Sequence, residues 1–456
     1  MHASLPTRAD LRRLAALAVP VTLVQLGLMT MGVVDTMVVG HYSPTALAGV
    51  AVGAVYAYAF GSFGMGVLLG LDPIVSQAVG AGDDAAVARG FQRGLVLAGA
   101  LGVLAYLGLL PAAGVLRALG QAPEVVAVAA PFVRVQAPSL VGFFLFVALR
   151  VTLQAEGHMR PIVITIGAAN LLNAALDLVL VYGLAGAPRL GAVGAGIASA
   201  IARVVMALLL AGLAWPRLRP WMGRHPDVLR AAPFARLLQI GLPIGIQYEL
   251  EYGAFAAVAL VMGRLGTTAL DAHQIAINIA SLTFMVPLGV SSAGAVLVGR
   301  AVGAGDAAGA RRAAVAALAA GGAFMALSAC VLRFAPAVLA RAYTGDAAVI
   351  ALACTLIPIA GVFQVFDGIQ VVSIGVLRGA GDTRTPLFVN LAGYWLFALP
   401  LGLWLGFGRR LGPAGLWWGL VAGLVAVALV LLARVRVRLG QRLERLPIEG
   451  PAAPAA

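Results

Sequence analysis

Apolar residues run along this chain in long blocks, not in alternation. Twelve blocks, near residues 14–39, 46–72, 93–114, 125–150, 161–183, 192–214, 237–262, 270–300, 312–333, 347–378, 386–407 and 411–433, each approach or exceed the length a membrane helix needs. That length is ~20 residues for a ~30 Å hydrocarbon layer, at about 1.5 Å of rise per residue. No run of about ten residues alternates in the manner of a barrel strand. The pattern predicts an all-α integral membrane protein with twelve transmembrane helices. The first block is too long, and its flank too poor in small-residue cleavage signals, for a removable signal peptide. Composition agrees: 61% of the 456 residues are apolar and 11% charged, and the mean hydropathy is +0.98.

The polar punctuation between the blocks repeats. At an offset of 223 residues Pro20 falls on Pro243, Gly40 on Gly263, Ala46-Leu47 on Ala269-Leu270, and VGAGD at 79–83 on VGAGD at 302–306. Gly157 and Arg160 match Gly381 and Arg384 at offset 224, and LGxxG at 190–194 matches 411–415 at offset 221. Each half is six helices, and because six is even both halves start on the same side of the membrane. They are parallel repeats about an axis along the bilayer normal, an arrangement used by carriers that alternate access between two bundles. The expected organisation is an N-terminal six-helix lobe over 1–214, a cytoplasmic basic linker over 215–236, a C-terminal six-helix lobe over 237–436 and a cytoplasmic tail over 437–456.

The formal charge of +13 comes from 31 basic residues, all of them arginine. Twenty-two fall at the N-terminus, in alternate loops and in the tail, with Arg217, Arg219, Arg224, Arg230 and Arg236 in the linker. The positive-inside rule then puts both termini in the cytoplasm, where these arginines meet anionic headgroups; membrane lipids, not nucleic acid, are the partner this distribution implies. Only Arg134 and Arg203 lie well inside predicted spans, away from their ends. Cys330 and Cys354 sit in apolar helices as expected small buried hydrophobes, with no redox or metal signal. No HExxH, GxSxG, P-loop or Cys/His cluster supplies enzyme chemistry, so no catalytic residue, metal site or cofactor is expected. His273, at the outer start of the eighth span, reads as a helix-start hydrogen-bonding residue.

The acids divide into two sets. Asp83 and Asp306 occur in both halves, between a Gly-x-Gly turn and an Ala-rich helix, where a carboxylate caps free backbone N–H groups. Asp35, Glu251, Asp367 and Asp177 face Val258, Leu28, Phe143 and Leu401 in the other half. The fold does not need these four twice. An ionised carboxylate at a helix centre costs roughly 2.5 to 3.5 kcal/mol on insertion scales, which makes such residues functional by default. Asn173 and Asn170 precede Asp177 on one helical face; Gln364 and Gln370 flank Asp367; Gln247 lies one turn before Glu251, while Glu249 points away from it. Such stripes line an aqueous cavity or a helix seam. They do not face lipid. A shared central cavity with one acidic patch per bundle would exchange a proton or small cation for a larger organic one.

The stretches PVTLVQLGLMTMGVVDTMVVG (20–40), NLLNAALDLVLVYG (170–183), GLPIGIQYELEYGAF (241–255), DAHQIAIN (271–278) and FQVFDGIQVVSIGVLRGAGDTRTP (363–386) resemble the multidrug and toxic compound extrusion (MATE) family, in its NorM-type branch. The resemblance runs from about Leu14 to Arg434. It implies two six-helix lobes in a V, and a secondary antiporter of the bacterial inner membrane that exports organic cations and drugs in exchange for H⁺ or Na⁺. It further implies an N-lobe cation site at Asp35, Asn173 and Asp177 and a C-lobe site at Glu251 and Asp367, either of which could take Na⁺. Gln247, Tyr248, Phe255, Gln364 and Gln370 are the candidate substrate-cavity residues. Phe363 stands where some relatives have a tyrosine one turn before the C-lobe aspartate, which takes one oxygen from any sodium set there. The chain is expected to work as a monomer without a cofactor. The competing reading is a lipid-linked precursor flippase of the same broader superfamily, for which Arg or Lys instead of acids would be expected to line the cavity.

Overall fold

The computed structural model describes residues 6–223 and 225–448; Arg224 and the last part of the expected tail, 449–456, lie outside the described residues. The first half contains α1 (Arg8–Tyr42), α2 (Pro44–Gly80), α3 (Asp84–Leu109), α4 (Pro123–Gln136), α5 (Ser139–Ala155), α6 (Met159–Tyr182) and α7 (Ala192–Leu213). The second contains α8 (Ala231–Arg264), α9 (Thr267–Gly303), α10 (Ala307–Phe334), α11 (Ala347–Gly379), α12 (Arg384–Gly408) and α13 (Gly412–Gly440). Ten of these are long and apolar enough to cross a bilayer, and the pair α4–α5, bent by 50° around Pro138, makes eleven. The twelfth is α8. Its 34 residues are ample to span a bilayer, but Glu249 and Glu251 lower its hydropathy.

The repeat fixes helix ends to the residue: Pro44, Gly80 and Asp84 plus 223 give Thr267, Gly303 and Ala307, the corresponding ends in the second half. The physical cause lies in the caps. Asp83 accepts a hydrogen bond from Ala86 N at 2.9 Å and Asp306 from Gly309 N at 2.7 Å, as their positions before Ala-rich helices require. Gly82 and Gly305 precede them at φ of +68° and +71°, a conformation that suits glycine.

The halves differ in three helices. Helix α2 is interrupted at residues 69 and 70, whereas α9 runs unbroken for 37 residues. The α4–α5 break has no counterpart in α11, which runs unbroken for 33 residues. Conversely α6 is α-helical throughout, whereas α12 widens into π-helical turns over Leu391–Ala398 and Trp404–Gly408. Pro400 lies between them and cannot donate to the carbonyl four residues back, so a regular α-helix would be broken there in any case.

Contacts group the chain into two compact units, one of residues 1–22 and 246–446, the other mainly of 23–245. Helices α1 and α8 therefore each change unit part-way along, just after Pro20 and Pro243. Within the first unit, Gly289 of α9 approaches Thr22 and the Ala18 carbonyl of α1. Arg312 joins Asp10 at 3.5 Å and Asp306 at 3.8 Å, and the end of α13 is tied down by Arg434 to Asp382 at 2.7 Å and Arg438 to the Ala380 carbonyl at 3.2 Å. Within the other, the start of α8 meets α2 so closely that a Cβ on Gly70 would stand 2.8 Å from Gly241 Cα. The linker is held there too: Arg93 donates to the Val228 and Asp227 carbonyls, Gln92 to those of Trp221 and Gly223, and Phe91 packs on Trp221.

Several expectations are corrected. Arg93, Arg150 and Arg378, grouped above with the loop arginines, are buried in helices; Arg150 donates to Gln25 Oε1 at 2.9 Å. Cys330 is exposed and Cys354 half-buried, so neither is a fully buried hydrophobe. His273 is buried at 2% exposure against Trp417, and its Nδ1 has no hydrogen-bond partner. His41, in the last turn of α1, also lies in a membrane helix, with Nδ1 at the Met37 carbonyl.

Candidate functional site

In the unit that holds residues 23–245, α1, α6 and α7 bring four polar side chains together. Asn173 Nδ2 donates to Asp35 Oδ1 at 3.0 Å, and the Ser199 hydroxyl donates a short hydrogen bond to Oδ2 of the same carboxylate. Asp177, one turn beyond Asn173 on α6, is fully buried and faces Asp35. Neither oxygen of Asp177 has a protein donor, and Asn173 Oδ1 is also without one. The result is a cluster of oxygens with acceptor capacity left over, enclosed by apolar helices. Asn170 is not in it: its amide donates to the Ile166 carbonyl of its own helix.

The second cluster is in the other unit. Glu251 on α8 and Asp367 on α11 lie within electrostatic reach of each other, and Tyr394 of α12 faces both. Gln370, one turn past Asp367, accepts from the Tyr394 hydroxyl at 2.9 Å and donates to Asn390 Oδ1 at 3.4 Å. An aromatic wall adjoins the acids: Phe255 meets Phe363 and Tyr394 with centroids 5.9 Å apart in each case, and Phe363 meets Trp417 at 5.8 Å. The phenyl ring of Phe363 supplies no oxygen here.

Of the remaining candidates, Gln364 is fully buried with both ends engaged, accepting from Thr283 at 2.7 Å and donating to Ser328 at 2.8 Å; it joins three helices. Gln370 likewise sits in a seam. Gln247 is buried on α8, while Tyr248 and Phe255 are half-buried. Among the described residues neither Arg134 nor Arg203 forms an ion pair with any of the four acids. Arg134 is exposed; Arg203 reaches Ser139 at 3.5 Å and lies within electrostatic reach of Asp35 without pairing to it.

Sequence reasoning missed Ser199, Asn390 and Tyr394, which are ordinary residues in membrane helices and carry no charge to mark them. It also missed Asp72, 1% exposed just beyond the break in α2. That one was detectable, since at offset 223 it faces Ala295 and so passes the same test of non-repetition.

Twelve membrane-length helices in two like halves, with carboxyl clusters set among apolar helices, define a polytopic membrane protein of the carrier type. The chain matches the MatE family over residues 20–179 and 243–404 and belongs to that family. It is 39% identical to the probable multidrug resistance protein NorM of Xanthomonas campestris pv. campestris, covering 94% of each chain. It is 38% identical to the multidrug resistance protein NorM of Burkholderia vietnamiensis, covering 93% of each. In fold it is similar to the eukaryotic MATE transporter AtDTX14 (TM-score 0.86, 22% identity, 94% of this chain and 96% of that one). It is also similar to a MOP superfamily transporter from Pyrococcus furiosus (TM-score 0.85, 20% identity, the same coverage).

Proposed function

We propose that this protein is a multidrug efflux carrier of the bacterial inner membrane, exporting organic cations in exchange for H⁺ or Na⁺, with both termini cytoplasmic. The observation that carries the reading is the pairing of Asp35 with Asp177, the latter's two buried oxygens taking no protein donor. Two carboxyls held face to face away from water need a proton or a cation between them, and whichever enters changes the charge of the cluster by one. Asp35, Asn173 and Asp177, with Ser199 added, form the ion site of the first half; Glu251 and Asp367 form that of the second. The names of the NorM relatives support a drug as cargo, and the half-buried Tyr248 and Phe255 on α8, with Gln247 beside them, offer the apolar and polar contacts a flat organic cation needs. Ion entry from outside would neutralise the acids, weaken the hold on the cation and favour the return conformation. The reaction moves solutes and makes no bond, and the chain acts as a monomer.

The test is transport in proteoliposomes under a pH gradient or a Na⁺ gradient imposed separately, following an ethidium-type dye with wild type, Asp177→Asn and Asp367→Asn. One gradient is expected to drive dye movement in wild type, and each variant to lose most of it. Dye that moves under neither gradient removes the antiport reading; a variant that responds like wild type removes its cluster from the coupling mechanism.

A further inference from the structure

We propose that Tyr394 and Trp395, neighbours on the π-helical turn of α12, are positioning residues for the Glu251–Asp367 pair. The proposal rests on that pair being the ion site of the second half. Each of the two side chains reaches toward the acids by a different contact. The Tyr394 hydroxyl donates to Gln370, one turn past Asp367 on α11, while its ring packs on Phe255, one turn past Glu251 on α8. The Trp395 indole N–H donates at 3.0 Å to the carbonyl of Leu250, the residue immediately before Glu251. Its ring lies over Gly253, where a Cβ would come within 3.2 Å of the indole.

Two adjacent residues of an α-helix point about 100° apart and do not serve one neighbour easily. A π turn narrows that angle, so both can reach residues 250–255 of α8. Among the described residues the first half has nothing equivalent. At offset 224 Tyr394 and Trp395 fall on Asn170 and Leu171 of α6, which is regular there, and Asn170 bonds only to its own helix. The π turn is thus present in one repeat alone, as are the acids beside it. The titratable groups facing Tyr394 are Glu251 from α8 and Asp367 from α11. The side toward α13 is apolar, with Val427 against Gly393. Asn390, just before the π turn, has a buried amide N–H₂ without an acceptor, so α12 also presents a spare donor within the same polar network.

The experiment is dye transport in proteoliposomes at a series of pH values or Na⁺ concentrations, for Tyr394→Phe, Trp395→Phe, Gln370→Leu, the Tyr394→Phe/Gln370→Leu double variant and Asp367→Asn. Tyr394→Phe and Trp395→Phe are expected to shift the half-saturating ion concentration roughly tenfold, the effect of one lost buried hydrogen bond, with the maximal rate kept within about twofold. The double variant should shift no further than Gln370→Leu alone, because the two groups act as a unit. If both single aromatic variants titrate like wild type, or lose rate without a change of midpoint, while Asp367→Asn has lost coupling, the positioning role is wrong and the acid pair stands. If Asp367→Asn stays fully coupled, the pair is not the ion site and both ideas fall. Should Tyr394→Phe not assemble as a monodisperse protein, Trp395→Phe decides, since it cuts a separate contact.

Discussion

Asp35 is held by two donors, Asn173 and Ser199, and only the serine can be stripped of its donor without changing the shape of the site. Ser199→Ala should therefore leave folding intact and shift ion use. A buried hydrogen bond to a charged acceptor contributes about 1.5 to 3 kcal/mol and favours the ionised carboxylate, so the half-saturating ion concentration should move roughly ten- to hundredfold, downward where the driving ion is a proton, measured as the driving-ion dependence of dye export. An unchanged midpoint would mean that Asp35 does not need the hydroxyl. The acids of both clusters were legible in the sequence because charge in an apolar helix is costly and these charges are not repeated. Ser199 and Tyr394 were not, since a hydroxyl in a membrane helix satisfies itself on its own backbone as readily as it serves a neighbour, as Thr36 does on the Gly32 carbonyl. Gln364 was misleading for the opposite reason. Its polarity near Asp367 suggested a cavity, but its two ends close on Thr283 and Ser328.

Helix ends were the easiest elements to read, because Gly-x-Gly-Asp stops one helix and caps the next by local chemistry alone. Changes inside a helix were harder. Pro138 and Pro400 mark where α4–α5 and α12 depart from a regular helix, but how far the chain bends and where it widens into π turns depend on neighbours, which the pattern of apolar residues does not encode. Close helix crossings belong at this scale too. A valine at Gly70 would collide with the backbone of Gly241 and push α2 from α8, whereas Gly99 has nothing within 4 Å of where a side chain would start. Gly70→Val is expected to lower stability by roughly 1 to 3 kcal/mol or more. Gly99→Ala, at an open helical position, should be neutral or slightly stabilising by up to about 1 kcal/mol. Thermal melting of the detergent-purified variants checks the pair; equal melting temperatures would mean that the crossing tolerates a side chain.

At the level of the whole chain, the repeat disclosed two halves of six helices, and the sequence placed their border in the basic segment after residue 214. The compact units instead divide inside α1 and α8, at residues 22 and 245. Periodicity carries no record of this, because a helix that serves two units looks the same along its length as one that serves a single unit. The crossing bears on attempts to divide the gene. Polypeptides 1–214 and 231–456 made separately should each be degraded in the membrane, since the first lacks the start of α8 that packs on Gly70 and the second lacks the start of α1 that packs on Gly289. Made together they should complement, copurify and resist protease, each supplying the strip of helix that the other's bundle is missing. A fragment that accumulates stably by itself would show that those borrowed turns are dispensable. Circular permutants opened in the 215–230 segment, which keep both strips on one chain, should tolerate the cut better than either fragment alone.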